Sequence, residues 1–442
     1  MSQVRTISNW GNYPVVRGSL DDFSDAKQAL DLVERSKNFI TRGAGLSYGD
    51  ASLGEQMIST SKFNRILSFD ETNGVIQVQA GATLDDILKR IVPAGWFLPV
   101  TPGTKFITAG GAVAGDVHGK NHHSEGSFCE YVTKLEVMLA DGTVKVCSEQ
   151  ENTQLFRVVC GGLGLGALIL TVAFRLKKIE TSYIHQKNVI VRGLDEMLDR
   201  LEEFNNTVYS VSWIDCVARG KNLGRGVLML GDHAKADEVK PGNKLKVHGD
   251  PWLNVPFNFP SFTLNNLSIS VFNFGVYHKH RLASKDFVIH YEPFFYPLDV
   301  IRHWNRAYGR RGLLQYQFVL PFETAKAGLH TIVRKISDAG SASFLSVLKS
   351  MGKGANMISF PIPGFTLAMD FPAAPGVFPL LEELDRIVVD LGGRIYLVKD
   401  ARMKPEIYWK GYSTATAFRD TIHQIDPNHK FSSALSRRLQ ML

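Results

Sequence analysis

The sequence predicts an α+β fold in two parts, and three observations carry that prediction. A chain of 442 residues is longer than one hydrophobic core usually serves. Short helix and strand patterns alternate irregularly through residues 1–180. Between Gln315 and Asp400 the patterns fall into the order β-α-β-β-α-β, the ferredoxin-like arrangement of an antiparallel sheet with helices on one face.

The elements follow in order. FSDAKQALDLVERS has apolar residues at helical spacing, with Ser24 as its N-cap. NFIT running into RGAGLSYGD reads as a strand followed by a glycine loop. ILSF and VIQVQAGA, joined by DETNG, form a hairpin. TLDDILKRIVPAGWFLP is an amphipathic helix that stops near Pro93 and Gly95. AGGAVAGDVHGKNHHSEGSF has too many glycines for a helix carrying its histidines, and YVTKLEVMLADGTVKVCS is a second hairpin turning at Asp141-Gly142. IHQKNVIV, LDEMLDRLEEF and VYSVSWIDC spell a β-α-β that would widen the later sheet. Residues 237–277 are rich in Pro, Asn and Phe and weak in periodicity, as long functional loops or lids are. QYQFVLP, TAKAGLHTIVRKISDAG, SFLSVLKSM, FTLAMDFP, LLEELDRIVVDLGG and IYLVKD complete the ferredoxin-like order. No tandem repeat is evident.

Composition narrows the function. With 44% hydrophobic and 21% charged residues the chain is an ordinary globular protein. MSQVRTISNWGNYPVV has no apolar core of signal-peptide length. The longest apolar run, Leu163 to Phe174, is shorter than the roughly 20 residues of a spanning helix. A cytoplasmic or peripherally membrane-associated protein is expected. Cys129, Cys147, Cys160 and Cys216 form no CxxC pair, which argues against a thiolate zinc site or a disulfide framework. The net charge of +7 suits a small anionic partner, and no nucleic-acid module accompanies it, so no nucleic-acid partner is expected.

Glycine motifs carry the chemistry. Gly162 to Ala167 fit the dinucleotide fingerprint, but a β-branched strand follows them where that fingerprint needs a helix, so they read as a tight turn. RGAGLSYGD is better placed: Gly43 and Gly45 let consecutive N–H groups turn toward one anion, with Ser47 and Arg42 adding a hydroxyl and a charge. The stretch from Ala109 to Phe128 offers a second cradle. Its His118, His122 and His123 also admit a metal reading, yet glycines interrupt any helix and no carboxylate or cysteine completes a ligand set. A cofactor cradle, a plain loop and a metal site compete there, and no metal is expected.

These residues resemble a known family. RGAGLSYGD, Pro102–Thr104, TAGGAVAGDVHGKNHHSEGSF and FRVVCGGLGLGALIL resemble the PCMH-type FAD-binding domain of the vanillyl-alcohol oxidase superfamily. Within it, HGKNHHS, FYPLDVIRHWNRAYG, LQYQFVLP, GGRIYLVKDAR and DPNHKFSSALSRRL resemble the polyprenyl-phosphoribose 2′-oxidases, over almost the whole chain. The resemblance implies a two-subdomain FAD-binding domain (1–180), a substrate or cap domain (181–393) and a C-terminal segment returning to the FAD domain (394–442). It implies FAD-dependent oxidation of the 2′-hydroxyl of a lipid-linked phosphopentose, with a partner reductase completing an epimerisation to the arabinose donor used in cell-wall arabinan.

It also implies roles for particular positions. Lys399 matches an active-site lysine that would stabilise an alkoxide or move a proton. Tyr396 would sit beside the flavin, although strand alternation points it away from Lys399 unless the strand ends there. Lys120 and His118 would complete the catalytic group. FAD contacts fall on Arg42, Gly43, Ala44, Gly45, Leu46, Ser47, Tyr48, Gly103, Thr108, Gly110, Gly111, Gly115, Asp116, His118, Gly119, Ile169 and Tyr396. Gln315 and Gln317 share one strand face, where amides suit sugar hydroxyls, and Tyr296, Trp213 and Asp370 would shape the same substrate pocket.

The departures from the pattern matter too. Leu46 stands where many relatives carry a histidine bonded to the flavin, so FAD is expected to be non-covalent. Ala368 replaces a cysteine of mycobacterial members, and Ala434 replaces a usual aspartate. The alternative is a sugar or aldonolactone oxidase of the same fold. A lid exposing Trp252, Phe257, Phe259 and Phe262 would favour a lipid tail and peripheral membrane contact instead.

Overall fold

A computed structural model describes residues 3–247, 249, 251, 253–260, 263, 266–340 and 345–442. The chain is α+β, and its N-terminal part holds a four-stranded and a five-stranded sheet, with a short pairing of Trp96–Phe97 and Lys177–Lys178 beside them. The first orders Arg5–Ser8, Val15–Asp22, Gln56–Ser59 and Ile40–Arg42. The second orders Ile66–Asp70, Val75–Gln79, Leu168–Arg175, Val132–Met138 and Val144–Cys147, all antiparallel. Both expected hairpins lie in this second sheet. The turn Gly162–Ala167 joins the helix Thr153–Val159 to the strand Leu168–Arg175, the reverse of a dinucleotide fingerprint.

Local chemistry explains the helix ends. Ala26–Arg35 is capped by Asp25 rather than Ser24: the Asp25 carboxylate accepts from the Gln28 N–H at 2.9 Å, leaving Ser24 to donate to the Gln28 side chain. Leu84–Ile91 starts at a Thr83–Asp86 capping box and ends as Pro93 and the left-handed Gly95 (φ 80°) take over. The stretch from Ala109 departs from a simple glycine turn. Ala109–Ala114 is a short helix in which the Thr108 hydroxyl accepts from the Gly111 N–H. Its glycines permit close packing: a Cβ on Gly110 would lie 2.9 Å from the Ala80 side chain. Tertiary packing overrides glycine's poor helix propensity.

The middle of the chain builds one antiparallel sheet of eight strands. Its order is Asp286–His290, Tyr183–Val191, Gly226–His233, Tyr209–Ile214, Ser346–Met351, Gly364–Pro372, Leu313–Pro321 and Arg394–Ile395. By position within each half this order reads 4-1-3-2 and then 2-3-1-4, two ferredoxin-like sets meeting at their inner edges. Sequence inspection shows no repeat, yet the topology is doubled. The early β-α-β does widen the sheet, but Gly226–His233 inserts between its two strands, and Asp286–His290 flanks it. The helix Asn266–Leu282 occupies the end of the segment expected to be a loop, laying Tyr277 and Val276 against Trp213. Trp252 and Phe262, expected on a lid, lie outside the described residues.

Strand alternation sorts the two faces of this sheet. Tyr316, Phe318, Leu320, Leu348 and Leu367 are buried together with Leu329 and Ile332 of the helix Phe322–Asp338. Gln315, Gln317, Val347, Lys349 and Trp213 face the other way, into a cavity shared with the N-terminal part. The C-terminal residues pack on that N-terminal part: Phe431 bridges Phe39, and the Ala434 N–H donates to the Leu53 carbonyl at 2.7 Å.

Candidate active site

One cavity of about 1130 Å³ is bounded by the loop 41–48, the segment 101–120, the open sheet face and the helix Asn266–Leu282. That exceeds the roughly 300–1,000 Å³ of an ordinary small-ligand site and suits a dinucleotide together with a second molecule.

The glycine loop forms one wall. After the strand Ile40–Arg42, the N–H groups from Ala44 to Tyr48 make no hydrogen bond with the chain among the described residues, leaving a run of donors beside the cavity. Gly45 has φ +68°, and a Cβ there would strike the Arg42 guanidinium. A Cβ on Gly43 would lie 2.3 Å from the Thr108 hydroxyl, so the two glycine segments touch each other. Arg42 is held by the Asn9 side chain and by the Ser8 carbonyl at 2.9 Å. Burial and the neighbouring Arg5 lower its pKa to about 10. These unspent donors, the half-buried Arg42 cation and the tightly packed glycines fit the phosphates and ring edge of an FAD. By contrast the N–H groups of Gly110 and Gly111 are used within the chain, so the second segment contributes contour rather than a nest.

Beside the end of that loop the cavity carries titratable groups. Lys399 follows the short strand Arg394–Ile395, which ends before Tyr396; the Lys399 N–H then turns back to the Tyr396 carbonyl at 3.0 Å. That turn lets Tyr396 and Lys399 reach one cavity, which a continuing strand would forbid. The Lys399 Nζ lies 4.2 Å from the centre of the Tyr48 ring. Burial lowers its pKa to about 8, against an opposing pull from Asp370. Asp370 itself is fully buried and raised to about 7 by that burial, with Gln315 donating to it at 2.6 Å and Lys399 countering.

His118 stacks on Phe360 (5.6 Å between ring centres) and leans on Tyr396 (5.1 Å). The Gln317 amide donates to its Nε2 at 3.1 Å, which leaves the proton on a buried Nδ1 with no partner among the described residues. Burial and the nearby lysines keep the ring neutral, so Nδ1–H is an available donor at the cavity wall. Lys120 donates to the Phe294 carbonyl and faces its ring, and burial beside Lys349 lowers it to about 7.

Of the residues singled out from sequence, most reach the cavity, Trp213, Ile169, Gly103, Gly115 and Gly119 among them. Three of the expected cofactor and substrate contacts do not line it. Asp116 turns away; its carboxylate accepts from Ser359 (2.6 Å), Asn356 (3.2 Å) and the Cys129 N–H (3.3 Å), an anchor for the adjoining chain rather than a flavin contact. Tyr296 is fully buried behind the wall with its hydroxyl 2.5 Å from that of Thr101. Asp370 lies beside Gln315 on the neighbouring strand, on the same face of the sheet but fully covered. His122 and His123 are engaged internally: the Gly352 N–H donates to His122 Nδ1 at 3.0 Å, Ser127 meets its Nε2, and His123 meets the Thr207 carbonyl at 2.8 Å. Among the described residues no group of three metal-ligating side chains converges.

Sequence reasoning missed Lys349. It shares the cavity face of its strand with Val347, its Nζ donates to the Gly119 carbonyl at 3.3 Å, and burial beside Lys399 lowers it to about 8. The available signal was a lone lysine alternating with apolar residues in SVLKSM. Arg42, Lys120, Lys349 and Lys399 together make the cavity a receptor for anions.

Residues 21–148 match the family described as FAD binding domain. The chain is 34% identical over 452 residues to the decaprenylphosphoryl-β-D-ribose oxidase of Mycolicibacterium smegmatis, covering 99% of this chain and 98% of that one. It is 30% identical over 188 residues to L-gulonolactone oxidase of Mus musculus, 41% of this chain and 42% of that one. It is also 27% identical over 198 residues to the Delta(24)-sterol reductase of Homo sapiens, 42% and 36% of the two chains.

Proposed function

Because the chain belongs to the decaprenylphosphoryl-β-D-ribose oxidase family, we propose that it oxidises the 2′-hydroxyl of a polyprenyl-phosphoryl-β-D-ribose to the 2′-ketone, with FAD as its cofactor. FAD, when bound, supplies the acceptor for the hydride that leaves the sugar carbon. The alcohol must also lose a proton, and the chain provides for that.

Lys399 carries the reading. Its amine is held over the ring of Tyr48, at the end of the glycine loop, and burial brings its pKa down to about 8. A neutral amine there accepts the 2′-hydroxyl proton, and the resulting ammonium is steadied by Asp370. Gln315, Gln317 and the His118 Nδ1–H supply directional hydrogen bonds for a sugar, while Trp213 and Met229 offer an apolar floor. Lys120 and Lys349 suit the negative charges of the cofactor and of a phosphorylated substrate. Arg42 and the N–H groups of Ala44 to Tyr48 suit the flavin nucleotide.

Two wider assignments belong to the same proposal. A ketone at this carbon is half of an inversion, so a separate reductase takes the product. The lipid end of the substrate points to contact with a membrane surface. In support, the helix that contributes Phe272 and Val276 to the cavity wall exposes Val271 and Phe274 (64% and 55%), and Phe257 is 63% exposed nearby in sequence. No helix among the described residues is long and apolar enough to cross a membrane. Anaerobic titration of the yellow protein tests the whole. Bleaching by polyprenyl-phosphoryl-β-D-ribose, and not by free ribose or aldonolactones, is expected; bleaching by lactones alone would overturn it.

A further inference from the structure

The C-terminal arginine Arg438 stands outside the cavity, yet it ties together the two segments that present Tyr48 and Lys399. It ends the short helix Ala434–Arg438, which is seated on the loop after Tyr48. Its guanidinium donates to both oxygens of Asp50, from Nε at 3.0 Å and Nη2 at 2.7 Å. Nη2 also pairs with Asp400 at 2.9 Å, and Nη1 donates to the Met403 carbonyl at 2.6 Å. Both carboxylates are buried, with side chains 4% and 2% exposed.

Position gives these contacts their meaning. Asp50 lies two residues after Tyr48, and Asp400 immediately follows Lys399. Between them the backbones press together, since a Cβ on Gly49 would fall 1.6 Å from the Asp400 carbonyl oxygen. Asp400 is fixed from its own side as well, accepting from the N–H groups of Arg402 (3.2 Å) and Met403 (3.0 Å). Its other neighbour, Arg402, is committed to Asp385 through two bonds of 2.5 and 2.6 Å. One planar, always-charged fork therefore braces two segments that otherwise meet through the backbones of Gly49 and Asp400. A lysine, as a point charge, cannot bind one carboxylate through two donors while reaching a second.

We infer that Arg438 is a positioning residue for the reaction: by clamping Asp50 to Asp400 it holds the Lys399 amine over the Tyr48 ring and so at the sugar hydroxyl. The inference rests on the role given to Lys399 above. Displacement of a reacting group by about 1 Å costs about 100-fold in rate, so loss of the clamp shows in chemistry before it shows in binding.

The test is a double-mutant cycle on the FAD-loaded enzyme, read as the rate constant of anaerobic flavin reduction at saturating polyprenyl-phosphoryl-β-D-ribose. Arg438→Lys is expected to slow reduction by about 10- to 100-fold, with the substrate dissociation constant changed less than about 3-fold. In a Lys399→Met background, the same substitution is expected to change the slow residual rate by less than about 2-fold. Asp50→Asn, which keeps the side chain's shape, repeats the cycle should the arginine variants not fold with flavin bound. Equal falls in both backgrounds, or no fall in either, would overturn the clamp. A Lys399→Met single variant that reduces its flavin at the normal rate overturns instead the role of Lys399, and the inference with it; the same rate constants separate the two failures.

Discussion

Replacement of Lys399 by methionine isolates the proton step. Methionine fills a similar volume without an amine, so the packing over Tyr48 is largely kept while the base is lost. The size of the effect follows from burial. An ordinary lysine at 10.5 is neutral to about 0.03% at pH 7, whereas one at about 8 is neutral to about 9%, a gain of about 300-fold in available base. Expressed as energy, desolvation net of the Asp370 attraction favours the neutral amine by about 3 kcal/mol. Because the folded-state value is lowered, the neutral form accumulates as pH rises through about 8, and flavin reduction by wild-type enzyme should climb through that value to a plateau. Lys399→Met should reduce its flavin about 100- to 10,000-fold more slowly, the usual range for a general base, and should lose that limb. Anaerobic stopped-flow bleaching across pH measures both. A variant within about 3-fold of wild type, or one with the limb unchanged, refutes the assignment.

Other expectations follow from neighbouring residues. Asp370→Asn removes a negative charge that favours the ammonium, so the pH limb should move down, not up, by the same assay. Gly49→Ala drives a methyl into the Asp400 carbonyl and should cost about 3 kcal/mol in denaturant unfolding of the holoenzyme; a fall below ~0.5 kcal/mol would mean that the two segments part easily. With Leu46 in the glycine loop rather than a flavin-linking histidine, acid precipitation should leave a colourless pellet and a yellow supernatant; flavin carried down with the protein contradicts this.

Much of this site was readable because it rests on local rules. RGAGLSYGD declares itself by permissive backbone next to a strand, and the two hairpins by alternation around Asp-Gly and Asn-Gly turns. Gln315 and Gln317 share a face because strands repeat every two residues, which the cavity lining shows. Long-range partners were not readable. Asp116 and Tyr296 look like site residues in sequence, but Ser359 and Thr101 claim them from more than a hundred residues away. Lys349 looks like surface in SVLKSM until the register pairs it with Thr366 and turns it inward. The helix Ala109–Ala114 runs against glycine's preference and exists through its threonine cap and the contact with Ala80. Tyr396 and Lys399 posed a contradiction under strand periodicity, and the early end of Arg394–Ile395 resolves it.

The seam of the eight-stranded sheet divides the lining of the cavity between two halves of the chain. Among the described residues its two sets are paired through Ser212 with Leu348 and Trp213 with Val347. On one side stand Gln315, Gln317, Lys349 and Lys399; on the other stand Gln186, Trp213, Met229 and the helix Asn266–Leu282. On the proposed function labour is thereby divided: the half holding Lys399 serves the proton step, whereas its twin lends the cavity an aromatic and apolar lining.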